Sequence, residues 1–172
     1  MTDSKFTLFV IAGAVILIGL IVFLGGRSGG ESNDTLVGQA FESEGQQHIQ
    51  VGAPHEAYKT NPPTSGPHYI QPAEWGYYDQ ELPDEQLVHN LEHGGIWVSY
   101  QPGAISEDEK EQLKKLSQTY NQRLVVTPRS KNETALAVAS WTRAENKAVF
   151  DLELIEQFLE KNVNQSPEKI AR

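Results

Sequence analysis

The sequence predicts an α+β domain with a mostly antiparallel sheet and packed helices, preceded by one transmembrane helix. Two observations lead to this prediction. The first is an apolar run from Phe6 to Leu24 in which Thr7 is the one polar residue. The second is the order of hydrophobic patterns after residue 95, which is β-α-β-β-α, whereas residues 39–76 are irregular and rich in Pro and Gly.

The apolar run has the length of a membrane span. At 1.5 Å per residue it covers about 28 Å, close to the hydrocarbon thickness of a bilayer. It is longer than the apolar core of a cleavable signal peptide, and no small-residue cleavage site follows it. We therefore predict a tail at 1–5 and an uncleaved anchor at 6–26. Lys5 and the amino terminus outweigh Arg27, which predicts an inside amino terminus, a single-pass cell-membrane protein and an extracytoplasmic domain.

Composition divides the remainder of the chain and excludes one class of partner. Residues 27–38 are rich in Gly, Ser and Asn and predict a flexible tether. A globular domain is expected over 39–163, and a polar tail over 164–172 that we expect to fray. The net charge of −9 argues against nucleic-acid binding, which needs a basic face. The expected partners are the membrane, through the N-terminal helix, and an envelope protein.

Periodicity and capping signals place the elements of the domain. The predicted strands are Ile96–Tyr100, Leu124–Thr127 and Ala135–Trp141, whose tryptophans Trp97 and Trp141 are expected in the core. A first helix is predicted from Asp84 as N-cap to Gly94 or Gly95. A second runs from the capping box of Ser106 and Glu109 to about Tyr120, and Asp151 caps a third.

The histidines form the strongest candidate site. All five lie between positions 48 and 93, namely His48, His55, His68, His89 and His93. His89 and His93 share one face of the first helix because they are four residues apart. His68, on a Pro-Gly loop, completes a three-histidine metal site, with His48 as a fourth ligand and His55 as the weakest candidate. Because cysteine is absent, we expect Zn(II) or Cu(II).

Other interpretations of the same residues stay open. The histidines could serve architecture alone, or acid–base chemistry without a metal. His89 to His93 also fits the H-x-x-E-H pattern of inverted zinc peptidases, in which Glu92 would be a general base, so a metal-dependent hydrolase is one alternative. Otherwise Glu92 accepts a histidine N–H beside the metal. A metal-free envelope interaction module, presenting the loop 59–78, is the alternative from another class. Enzymatic activity is left open.

Two motifs resemble a known family. N-P-P-T-S-G-P-H-Y at 61–69 and H-N-L-E-H-G at 89–94 are similar to a bacterial and archaeal family described as a domain of unknown function. Its members carry one N-terminal anchor and an extracytoplasmic domain, and the resemblance covers roughly 41–158. It gives weight to matched positions, which are His48, Tyr58, Pro63, Ser65, Gly66, His68, His89, Glu92, His93 and Gly94. We therefore expect Tyr58, Ser65 and Glu92 to support the site. The resemblance implies no reaction, cofactor or partner.

Overall fold

The computed structural model describes residues Leu36–Arg172 as one compact unit. The predicted N-terminal tail, the membrane anchor and most of the tether lie outside the described residues. Among the described residues, no helix has both the length and the apolar character needed to cross a bilayer.

The domain is built from short strands in its first half and longer strands and helices in its second. The strands are β1 (Gln39–Ala40), β2 (His48–Ile49), β3 (His68–Tyr69), β4 (Gly76–Tyr77), β5 (Ile96–Tyr100), β6 (Leu124–Pro128), β7 (Leu136–Ser140) and β8 (Arg143–Lys147). The helices are α1 (Asp84–Glu92), α2 (Glu107–Thr119) and α3 (Leu152–Lys161). Six strands form one sheet in the order β1-β8-β7-β5-β6-β4, and β2 pairs with β3 separately.

The predicted fold class is confirmed for the described part of the chain. In the main sheet β1–β8, β8–β7 and β7–β5 pair antiparallel, whereas β6 pairs parallel with both β5 and β4. The β5–β6 pair is parallel because α2 connects the two strands as a crossover. The sheet is therefore mostly antiparallel, as the sequence predicts.

Side chains that alternate along β5 divide the core between the two faces of the sheet. Ile96 and Val98 pack on one face with residues of α2 and α3 such as Leu113 and Phe158. Trp97 points to the other face and packs in a second cluster that contains Leu87, Leu91 and Trp141. Both tryptophans predicted for the core are buried. Helix α1, which carries the paired histidines, is thus fixed to the sheet by its leucines.

Strand β8 is absent from the predicted strands. Its sequence, Arg-Ala-Glu-Asn-Lys, has no apolar alternation and resembles a loop. It forms a strand because a tight turn at Thr142, whose φ is +58°, folds it back along β7, and β1 pairs with its other edge. The second half is therefore β-α-β-β-β-α rather than the predicted β-α-β-β-α.

Two of the three predicted helix caps are present. Ser106 Oγ accepts from the Glu109 amide at 3.3 Å while the Ser106 amide donates to Glu109 Oε2 at 2.7 Å, which completes the capping box. Asp151 Oδ1 accepts from the Leu154 amide at 3.0 Å.

The predicted N-cap of α1 is wrong. Pro83 occupies the N-cap position, and Asp84 is the first residue of the helix. The Asp84 carboxylate instead binds Arg129 through Nε at 2.8 Å and Nη2 at 3.0 Å. A buried guanidinium 45 residues away is a stronger partner for this carboxylate than a local amide, and the sequence carries no sign of it.

The C-terminal segment, residues 164–172, is docked rather than frayed. The last carbonyls of a helix have no partner within the helix. Here amides of the segment donate to carbonyls at and just after the end of α1, from Glu168 to the Glu92 oxygen at 3.1 Å and from Asn164 to the Gly94 oxygen at 2.8 Å. Gly94 turns the chain at this point with a φ of +89°, as expected for a glycine after a helix.

Candidate metal centre

The small β2–β3 pair brings two of the histidines together. The strands are parallel, and their register places His48 opposite His68 and Ile49 opposite Tyr69. The His68 side chain is fully buried, whereas that of His48 is 44% exposed. The irregular half of the domain therefore places a buried imidazole, that of His68, beside a partly exposed one, that of His48.

Helix α1 supplies the facing groups. His89 and Glu92 are three residues apart and lie on the same side of the helix, where both are buried. Asn90 fixes the covering loop to the helix, because its side chain accepts from the Ala73 amide and donates to the Ala73 carbonyl, each at 2.9 Å. Asn90 is a structural residue of this site that the sequence analysis did not single out.

Four side chains converge to form the metal-site cluster, defined here as His48, His68, His89 and Glu92. One potential ligand atom from each lies within 4.8 Å of all the others. Glu92 Oε2 is 2.9 Å from His68 Nε2 and 3.4 Å from His48 Nε2. In a tetrahedral zinc site with bonds of about 2.0–2.1 Å the ligand atoms are about 3.4 Å apart. Reaching that geometry would lengthen the contact between His68 and Glu92 by about 0.5 Å and shorten the wider separations in the cluster.

Two imidazoles are oriented by backbone carbonyls. His68 Nδ1 lies 2.7 Å from the Gly66 oxygen, and His89 Nδ1 lies 2.6 Å from the Tyr69 oxygen. A carbonyl can only accept, so each Nδ1 carries the proton, and the Nε2 of a neutral ring has a free lone pair. Outer hydrogen bonds of this kind orient the histidines of metal sites.

Burial keeps the helical histidines neutral. It lowers the pKa of His89 to about 4, with the Tyr69 carbonyl opposing this effect and the neighbouring histidines adding to it. Burial also lowers the pKa of His93, while the carboxylates of Glu168 and Glu92 oppose that shift. At neutral pH the His89 ring therefore presents a lone pair and not a second proton.

His93 and Glu92 differ from their predicted places in the site, since Glu92 and not His93 belongs to the metal-site cluster. The His93 ring is outside the metal-site cluster, and its Nε2 lies 2.9 Å from His89 Nε2 and 3.2 Å from Glu168 Oε2. Glu92, expected to support the site, has its carboxylate among the potential ligand atoms. Its position one helical turn from His89 was the signal in the sequence. That His93 binds metal stays a prediction.

The two other residues expected to support the site shape its loop. The Tyr58 hydroxyl donates to the Pro67 carbonyl, and Ser65 Oγ accepts from the Glu44 amide at 2.9 Å. Both hydrogen bonds stabilise the conformation of the loop that carries His68.

His55 lies apart from the metal-site cluster. Its Nε2 is 3.1 Å from Glu85 Oε1, and its Nδ1 is 2.7 Å from the Glu56 carbonyl oxygen. As the weakest candidate ligand it offers a matched control for experiments on the other histidines.

Comparison with known sequences identifies the family. The family described as "Protein of unknown function (DUF3105)" matches residues 49–172. The chain belongs to DUF3105. This confirms the resemblance to a family of unknown function. The match includes His68, His89 and Glu92, starts directly after His48, and continues through the C-terminal segment to Arg172. No curated protein and no solved structure shows significant similarity to the chain.

Proposed function

We propose that this domain binds a divalent transition metal, Zn(II) or Cu(II), through His48, His68, His89 and Glu92. The observation that supports the proposal is the convergence of four potential ligand atoms, which all lie within 4.8 Å of one another. His68 Nε2 and Glu92 Oε2, 2.9 Å apart, are both acceptors when the ring is neutral and the carboxylate is ionised. A cation between them turns this repulsion into attraction. A proton could satisfy one such contact, whereas a metal ion satisfies all four groups.

The donor set favours borderline ions. Three imidazoles and one carboxylate suit Zn(II) and Cu(II), and the chain has no cysteine and a single methionine at position 1 to form a soft site. Three histidines and Glu92 would fill the four positions of a tetrahedral zinc site, and His48 is exposed enough to admit an ion from solvent.

The proposed setting is the outer surface of the cell membrane. The apolar run over 6–26 and the charge balance around it support a single-pass anchor with the domain outside. Metal handling or sensing at the membrane surface is the role we propose. We do not propose a hydrolase of the inverted-peptidase type, because Glu92 Oε2 contacts His68 and His48 and is not free to act as a general base.

Metal content is the direct test. The full chain, purified in detergent micelles, is incubated with Zn(II) or Cu(II), passed through a desalting column and measured by elemental mass spectrometry. We expect near-stoichiometric metal in the parent and in His55→Ala, and its loss in His89→Ala. His55→Ala controls for the removal of an imidazole outside the cluster.

Two results would contradict the proposal. A parent that stays free of metal would favour the alternative of a metal-free interaction module, in which these contacts only join the loop to α1. Equal loss of metal in His55→Ala and His89→Ala would show that the ion was bound elsewhere.

A further inference from the structure

One hydrogen bond occupies the lone pair that a metal would need on His89. Because its Nδ1 donates to the Tyr69 carbonyl, His89 has a lone pair on Nε2 alone. His93 Nε2 lies 2.9 Å from that atom, so His93 Nε2–H donates and His89 Nε2 accepts in this hydrogen bond. A metal and the His93 N–H therefore compete for the same lone pair.

Glu168 offers His93 a second acceptor. Its Oε2 lies 3.2 Å from the same His93 Nε2, so the N–H can turn from one acceptor to the other with little movement of the ring. The His93 side chain is 17% exposed, so an N–H left without an acceptor there would lose part of its hydrogen bonding, and a replacement acceptor matters. Glu168 is thus a positioning residue for the site, acting through His93.

Glu168 belongs to the docked C-terminal segment. The amides of Glu168, Ile170 and Ala171 donate to the carbonyls of Glu92 and His93 at 3.1, 3.2 and 3.0 Å. The segment therefore covers the end of the helix that carries two groups of the metal-site cluster. Any change in the bond between His93 and Glu168 acts on this segment directly.

We propose that metal binding moves the His93 hydrogen bond from His89 to Glu168 and thereby fastens the C-terminal segment onto α1. This inference rests on the proposed function. It adds a form of regulation, because the C-terminal segment docks more tightly when the metal site is occupied. Coupling of this kind is reciprocal, so the docked segment raises the metal affinity by the factor by which metal strengthens docking.

Hydrogen exchange at backbone amides tests the coupling in the full chain. The exchange of the Ile170 and Ala171 amides is measured with and without Zn(II), beside the affinity for Zn(II) by competition with a chelator. We expect Zn(II) to slow exchange by about fivefold or more, the lower end of typical coupling between sites. Glu168→Ala should weaken Zn(II) binding by a similar factor and abolish the Zn-dependent change. Lys169→Ala, its neighbour in the same exposed segment, should alter neither.

The outcomes separate this inference from the proposed function. A parent that binds Zn(II) without a change in exchange overturns the inference and leaves the function standing. A parent that binds neither Zn(II) nor Cu(II) overturns both, and a parent that binds only Cu(II) is measured in the same way with Cu(II). The parent measurement needs no substitution, so it is decisive even where a variant fails to fold.

His93→Ala provides an independent check. It should still bind Zn(II), because the lone pair on His89 is released, and it should show no Zn-dependent protection of the segment. Loss of Zn(II) binding in His93→Ala would show that His93 is a ligand, and would overturn the proposed move of its hydrogen bond from His89 to Glu168.

Discussion

Asp84 and Arg129 form a buried ion pair inside the domain. The two side chains are 8% and 6% exposed, and the contact is bidentate. Arg129 Nη1 also donates to Asn61 and Asn132, at 2.6 and 2.9 Å. The pair therefore joins α1, the loop before β3 that contains Asn61, and the turn after β6.

Removing Asp84 should be strongly destabilising. Asp84→Ala leaves the Arg129 charge buried without its partner, which costs about 3–5 kcal/mol in the free energy of unfolding. Lys131 also contacts Asp84, at 3.4 Å, but it is 72% exposed, so Lys131→Ala should cost no more than about 1 kcal/mol. Denaturant unfolding of both variants checks this, and equal losses would show that burial of the pair is unimportant.

Gly94 should not tolerate a side chain. Its φ is +89°, and an added Cβ would lie 2.5 Å from Asn164 Oδ1 and 2.8 Å from Asn164 Cα. Gly103 has a similar φ of +80° but open space around it. Gly103→Ala should therefore lose about 1–2 kcal/mol for the left-handed backbone alone. Gly94→Ala should lose more and expose the C-terminal segment to exchange and proteolysis. Equal unfolding free energies for the two variants would argue against a close contact at Gly94.

At the scale of elements, the sequence predicted helix ends correctly where the N-cap side chain accepts from an amide in the first turn of the same helix. The capping box of α2 and the cap of α3 involve residues three apart, so the sequence contains the whole interaction. The N-terminus of α1 was mispredicted because Asp84 has a distant partner. Strand β8 was missed because its neighbours, and not its own residues, make it a strand.

The N-terminus of α2 offers a local test. Ser106→Ala should cost about 1 kcal/mol in the free energy of unfolding, because the Glu109 amide loses its acceptor. Ser106→Asp should retain most of the stability, since aspartate caps helices about as well as serine. Denaturant midpoints compare the two, and an Asp variant as unstable as the Ala variant would show that the cap contributes little.

At the scale of the whole molecule, the prediction to test is that the apolar run over 6–26 anchors the chain in a membrane. We expect the full chain to stay in the membrane fraction through alkaline and high-salt washes and to be released by detergent. A chain lacking residues 6–26 should instead appear in the soluble fraction, because it lacks the apolar run that we propose as the membrane anchor. Fractionation followed by immunoblotting measures this. A full chain that washes off without detergent would contradict the anchor.

Local patterns in the sequence were enough to predict the fold class, the three helices of the described residues and the strands with apolar patterns, and two motifs indicated the family. It also predicted a metal site of His68, His89 and His93 with His48 as a fourth ligand, and three of these four residues, His48, His68 and His89, lie together in the structure. These features depend on periodicity, capping and spacing, which are local.

The pairing of groups that are distant in the sequence became visible in the folded domain alone. The register of β2 with β3 sets His48 beside His68, and docking of α1 turns Glu92 toward them while His93 turns toward Glu168. The C-terminal segment reaches the site through hydrogen bonds to a helix end more than seventy residues earlier in the chain. Such long-range pairings depend on packing and on which backbone groups remain unsatisfied after the core forms, and no local pattern records them.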